Sequence, residues 1–187
     1  MASAQTSQKA LSAHDRMHQQ QLANVKSRMD KSVVSDMLKD EVIKRETIVA
    51  SYLSPESAQM INDLLLEANK HIGKPYVHGA KGPSRFDCSG FTSYVYKQFG
   101  YTISPASRMQ STEGVKVDRN DLQKGDLVFF TSPRSGRNVG HVGIVVSADN
   151  KTGKFKFIHA SIKGVKISDF DGYYVNRYVG ARRIITE

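Results

Sequence analysis

Residues 87–100 read Asp87-Cys88-Ser89-Gly90-Phe91-Thr92-Ser93-Tyr94-Val95-Tyr96-Lys97-Gln98-Phe99-Gly100 and hold the only cysteine of the chain. Phe91, Tyr94, Val95 and Phe99 recur at helical spacing, which predicts a helix over 88–99 with one buried apolar face. Asp87 stands where an N-cap belongs, and Gly100 where a terminating glycine belongs. Cys88 therefore falls in the first turn. There the unpaired N–H groups and the helix dipole favour negative charge, so this reading predicts a thiol pKa below its ordinary value. The same N–H groups suit the oxyanion of an attacked carbonyl. A lone cysteine is more often a small buried hydrophobe. A structural cysteine would sit mid-helix on the apolar face, and this one does not.

Working outward, Met60, Ile61, Leu64, Leu65 and Ala68 mark a helix over 57–70, stopped by Gly73 and Pro75. A Gly-containing loop, 79–83, leads into the cysteine helix. After Gly125 the texture changes to short β-rich runs: 126–131, 139–147, 154–160, 164–168 and 178–185. Turn sequences at 133–136 and 149–153 separate some of them. Helices first and a meander of strands after is an α+β layout, with the helices packed on an antiparallel sheet of about five to six strands. Upstream, Leu22, Val25, Met29, Val33, Met37 and Leu38 recur at helical spacing behind a Gln-, Ser- and Ala-rich start. Ser54-Pro55-Glu56 breaks that pattern. The expected division is an N-terminal helical extension over 1–54 and a folded domain over 55–187.

The chain of 187 residues carries a formal charge of +9, which attracts polyanions such as nucleic acid, anionic lipid or acidic envelope polymers. No helix-turn-helix, zinc finger or aromatic-interleaved basic cluster is present, so a nucleic-acid partner is not expected. No run of about 18 apolar residues predicts a membrane span. A single cysteine rules out an internal disulfide and a cysteine-based zinc cage. The first residues have no apolar core and read as a mature start whose export signal has been removed, so an exported protein is expected.

A sulfur nucleophile needs a proton acceptor that later protonates the leaving amine. His141 lies in Val139-Gly140-His141-Val142-Gly143-Ile144-Val145-Val146, a strand whose two glycines leave room for another element, such as the cysteine helix. His159 ends the next strand, Phe157-Ile158-His159-Ala160-Ser161, and an antiparallel neighbour brings it beside His141. It then holds the tautomer of the base. The same three residues form a conceivable zinc set, but their spacing matches no local ligand motif. Neither a metal nor a cofactor is expected.

Three blocks, Asp87-Cys88-Ser89-Gly90-Phe91, Gly140-His141-Val142-Gly143-Ile144 and Phe157-Ile158-His159-Ala160-Ser161, resemble the NlpC family of papain-like cell-wall peptidases. The likeness extends through Gly73-Lys74-Pro75-Tyr76, Gly125-Asp126-Leu127-Val128-Phe129-Phe130 and Tyr178-Val179-Gly180-Ala181-Arg182-Arg183, covering about 57–186 in the family's order. It implies a catalytic Cys88, a general base His141 and an orienting His159. It also implies hydrolysis of the bond between D-γ-glutamate and a diamino acid, with peptidoglycan stem peptides or muropeptides as partners. Tyr76 matches the family tyrosine that reaches the pocket. Asp87 and Ser89 match residues that contact a free stem N-terminus, and Arg108 matches a polar segment bordering the cleft. Rival readings on the same fold are a non-catalytic wall-binding protein, an amidase or transpeptidase, and an acyltransferase. Two departures stand out: a basic, Ser- and Gly-rich loop over 132–138, and an N-terminal extension unlike a wall-binding repeat.

Overall fold

In the computed structural model, which describes residues 54–186, the first element starts at the Ser-Pro pair that breaks the upstream pattern. The Ser54 hydroxyl accepts the N–H of Ser57 at 3.1 Å, and Pro55 occupies the first helical position, where no amide hydrogen is needed. Helix α1, Pro55–Asn69, buries Ile61, Leu64, Leu65 and Ala68. The helix predicted around residues 22–38 lies outside the described residues.

Helix α2 is Cys88–Lys97, and its final turn runs through Gln98 and Phe99 to Gly100. Gly100 takes φ +86°, its N–H donates to the Lys97 carbonyl at 3.2 Å, and that of Tyr101 reaches back to Tyr96 at 3.1 Å. This is a Schellman termination, with the rings of Tyr96 and Tyr101 perpendicular and 6.4 Å apart as its apolar contact. The expected apolar face is corrected in part. Phe91 and Val95 are buried, but Tyr96 is fully enclosed in place of Tyr94 and Phe99, which are half-buried. A buried phenol needs an acceptor, and the Tyr96 hydroxyl finds the carbonyl of Gly125.

Beyond α2 come α3 (Ser107–Gln110), β1 (Val115–Val117), a 3-10 turn (Arg119–Asp121), β2 (Leu127–Thr131) and β3 (Val139–Asp149). Then follow β4 (Lys154–Ser161), β5 (Gly164–Asp169), α4 (Gly172–Val175) and β6 (Tyr178–Arg183). The six strands form one antiparallel sheet in the order β1-β6-β2-β3-β4-β5. Strand β1, too short to show a period, adds to the five strands read from the sequence.

Strand alternation divides the interior in two. Val142, Ile144, Ile158 and Ala160 face the helices and pack with Leu64, Phe91 and Val95. Phe130, Val145, Phe155 and Phe157 face the other way, against Phe170, Tyr174 and Tyr178. Each side chain of this size removed from water contributes roughly 1.5–3 kcal/mol, so both layers are needed to hold a domain this small. Asp126, buried just before β2, accepts two bonds from the Arg183 guanidinium at 2.8 and 2.9 Å and fastens the end of β6.

Candidate active site

Asp87 makes the local geometry of the cysteine. Its side chain accepts the N–H of Gly90 at 2.6 Å through Oδ1 and that of Gly79 at 2.8 Å through Oδ2, while its own N–H donates to Ala80 at 2.8 Å. One carboxylate thus caps α2 and clamps the preceding loop onto it. Gly90 is required here, because any Cβ would strike the Ala80 carbonyl. With the Gly90 amide committed to the cap, the N–H groups of Cys88 and Ser89 are directed at the sulfur. A third N–H, from Val142, reaches the sulfur from β3. The β3–β4 ladder has its last pair at Ile144 and Ile158, so Val142 lies beyond it. That amide follows His141 directly, and it is how the cysteine helix meets the histidine strand.

Cys88 itself is buried. Burial first, and then the Asp87 carboxylate, push the thiol up to about 11, against the three N–H groups that favour its anion. This corrects the expected lowered pKa. The dipole of the helix start is present, but the low-dielectric site and the capping carboxylate outweigh it.

The two histidines meet as predicted. His141 Nε2 and His159 Nδ1 are 2.8 Å apart, with the rings perpendicular and their centroids separated by 4.9 Å. Gly143 makes this pairing sterically feasible: a Cβ there would lie 2.6 Å from the Phe157 ring and 3.1 Å from the Cβ of His159. The glycine gap expected to admit the cysteine helix instead admits the second imidazole, because Gly143, like Val145, faces the second apolar layer rather than the helices. Gly140 makes room for the hydroxyls of Ser132 and Ser135 in the loop before β3. Burial lowers His141 to about 4. His159, fully enclosed, is lowered as well, by burial first and then by the charges of His141 and Lys166. Burial thus favours the neutral form of the thiol and of both imidazoles.

The remaining candidates separate. Tyr76 is half-buried, and its phenol is raised by burial and then by Cys88 and Asp87, with the Arg134 cation opposing. It borders the site, and the charge of Arg134 on the basic loop acts on it. The Ser89 hydroxyl donates to the Pro105 carbonyl at 2.8 Å and ties α2 to the segment before α3. Arg108 is exposed on α3. Sequence reasoning missed Arg134 as a single residue, the Val142 amide, and the groups behind His159. Those are the Ser168 hydroxyl, 2.9 Å from Nε2, and the Tyr174 hydroxyl, 3.5 Å from it. Strand register alone offered a signal for Ser168, two places along β5 from the partner of His159.

The two long helices on one side of a six-stranded antiparallel sheet, with the single cysteine opening one of them against a histidine-bearing strand, define a papain-like α+β domain. The NlpC/p60 domain of the peptidoglycan hydrolase SagA has this fold, with a TM-score of 0.53 and 34% identity over 66% of this chain and 97% of that one. The sequence profile of the NlpC/P60 family matches residues 73–183, and the chain belongs to that family. A probable endopeptidase p60 from Listeria grayi is 41% identical over 139 residues, which are 74% of this chain and 25% of that protein. A gamma-D-glutamyl-L-lysine dipeptidyl-peptidase from Bacillus cereus is 36% identical over 127 residues, 66% of this chain and 36% of that protein. The chain thus spans about a quarter to a third of the length of these relatives.

Proposed function

We propose that this protein is an exported cysteine endopeptidase that cuts the D-γ-glutamyl–diamino acid bond of peptidoglycan stem peptides. The observation that carries the reading is the meeting of α2 and β3. The sulfur of Cys88 receives the Val142 amide, and His141, one residue earlier, is backed by His159 at 2.8 Å. The relatives support the chemistry, since one of them is a gamma-D-glutamyl-L-lysine dipeptidyl-peptidase.

In this mechanism the Cys88 thiol gives its proton to His141 as the sulfur attacks the γ-glutamyl carbonyl. A C–S bond forms and the carbonyl oxygen becomes an oxyanion, stabilised by N–H groups at the start of α2. Collapse breaks the C–N bond, and the His141 imidazolium protonates the departing amine. Water then adds to the thioester with His141 as base, releasing the γ-glutamyl carboxylate and restoring the thiol. His159 accepts from the base and fixes its ring. Arg108 and Arg134 are both exposed, but the charge of Arg134 is felt at Tyr76, which suits it better to a substrate carboxylate. Asp87 acts chiefly as cap and clamp, since both of its oxygens already accept backbone N–H bonds.

Digestion of defined muropeptides followed by mass spectrometry tests the reading. Cleavage between γ-glutamate and the diamino acid, absent in Cys88→Ala, is the expected result. Release of an intact stem from the sugar would make the protein an amidase instead, and no cleavage of any wall substrate would leave a binding protein.

A further inference from the structure

The buried end of the histidine pair carries two hydroxyl groups that the reaction above does not use. Nε2 of His159 lies 2.9 Å from the Ser168 Oγ and 3.5 Å from the Tyr174 hydroxyl. The Ser168 hydroxyl also lies near enough to the Tyr174 phenol to favour its anion, against the burial that raises it. Strand register explains the first contact. His159 pairs with Lys166 across β4 and β5, so Ser168 is its diagonal neighbour on the same face. Packing explains the second: α4 lays the Tyr174 ring perpendicular to Phe157 at 4.9 Å and beside His159 at 5.7 Å.

Proton bookkeeping gives these hydroxyls a task. When His141 carries the thiol proton, both of its nitrogens are donors, and Nε2–H must find an acceptor. The acceptor 2.8 Å away is Nδ1 of His159. Neutral His159 accepts at Nδ1 only if its own proton is on Nε2, and a buried Nε2–H needs an acceptor in turn. The groups facing His159 are His141 on β3, Lys166 and Ser168 on β5, and Tyr174 on α4. Lys166 is a cation and accepts nothing, and it also disfavours a second proton on His159. That leaves the hydroxyls.

We propose that Ser168, supported by Tyr174, is a positioning residue that holds His159 in its Nε2–H tautomer, so that His159 can accept from a protonated His141. The inference deepens the peptidase reading and rests on it. The hydroxyl is needed most once the imidazolium has formed, so its loss acts on kcat and spares substrate binding.

The experiment pairs two isosteric variants, Ser168→Thr and Ser168→Val, with Ser168→Ala and Tyr174→Phe. Ser168→Val and Ser168→Ala are expected to lower kcat roughly tenfold, the worth of one hydrogen bond to a charged relay, with KM within about twofold. Ser168→Thr recovers most of that loss, and Tyr174→Phe costs about two- to threefold. Imidazole nitrogen NMR of wild type is expected to show His159 protonated at Nε2 and bare at Nδ1. Equal kcat in the Thr and Val variants, or a His159 protonated at Nδ1, overturns the proposal, and the wild-type spectrum decides even if a variant fails to fold. Should wild type cut no wall substrate, the peptidase reading falls alone. The rate of Cys88 alkylation by iodoacetamide then replaces kcat, with the same tenfold slowing expected in Ser168→Val and an unchanged rate overturning the relay.

Discussion

The two faces of the sheet do opposite work. The helix face is mixed aliphatic–aromatic, built from Leu64, Phe91, Val95, Ile144 and Ile158, and it supplies the cysteine. The other face is a cup of aromatic rings, Phe130, Phe155, Phe157, Phe170, Tyr174 and Tyr178, with the two histidines at its margin. The cysteine helix and the histidine strand thus come together at Val142, where β3 and β4 stop pairing. The difference teaches that a packed layer can position a sulfur, whereas an ordered chain of imidazoles also needs rings to exclude water and hydroxyls to close the hydrogen bonds.

The sharpest way to break this division is to remove one member from each face. Cys88→Ala is expected to abolish turnover, and His141→Ala to cost roughly three to four decades in kcat on muropeptides. A loss of only tenfold for either would mean that the two faces do not cooperate in the reaction. Next in size, Gly143→Ala attacks the aromatic side alone. Its Cβ would press on Phe157 and His159, so about 1–3 kcal/mol of stability is lost and kcat falls about a hundredfold, with the sulfur left in place. Thermal unfolding together with Cys88 alkylation separates the two effects.

Titration sharpens the comparison further. With the free thiol pushed up to about 11, the alkylation rate of the resting protein should keep climbing through pH 9. A plateau near neutrality would show a preformed thiolate–imidazolium pair instead. The smallest effect is on stability. The histidine protonates more readily in the unfolded chain than in the fold, where His141 is lowered to about 4 and His159 is also lowered. Between about pH 6.5 and pH 4 the unfolded state binds more protons, so stability is complete above that window and is lost as pH falls through it. The loss is at most about 1.4 kcal/mol per pH unit for each imidazole. His159→Asn should flatten the slope by one imidazole's share in denaturant titrations run across that range.

Much of this was legible in the sequence because local chemistry states it. Asp87 and Gly100 bound α2 as their side-chain oxygen and positive φ require, and the strand runs after Gly125 form the sheet in the expected antiparallel manner. His141 and His159 were expected as neighbours and are. Three things were not legible, each for a physical reason. The thiol pKa depends on burial and on the nearness of the Asp87 charge, which no motif records. The use of Gly143 depends on which face of β3 is covered, and alternation cannot tell one face from the other when both are apolar. Tyr174 sits on a one-turn helix of four residues, too short to leave a periodic trace.

The cap at Asp87 has one more consequence, for endurance. Peroxide and adventitious electrophiles attack cysteine in its anionic form, and exposed thiolates are the first to climb the ladder to sulfenic and sulfinic acids. A sulfur enclosed in the fold and kept protonated by a neighbouring carboxylate offers them little. The arrangement that withholds charge from the sulfur also slows its irreversible oxidation.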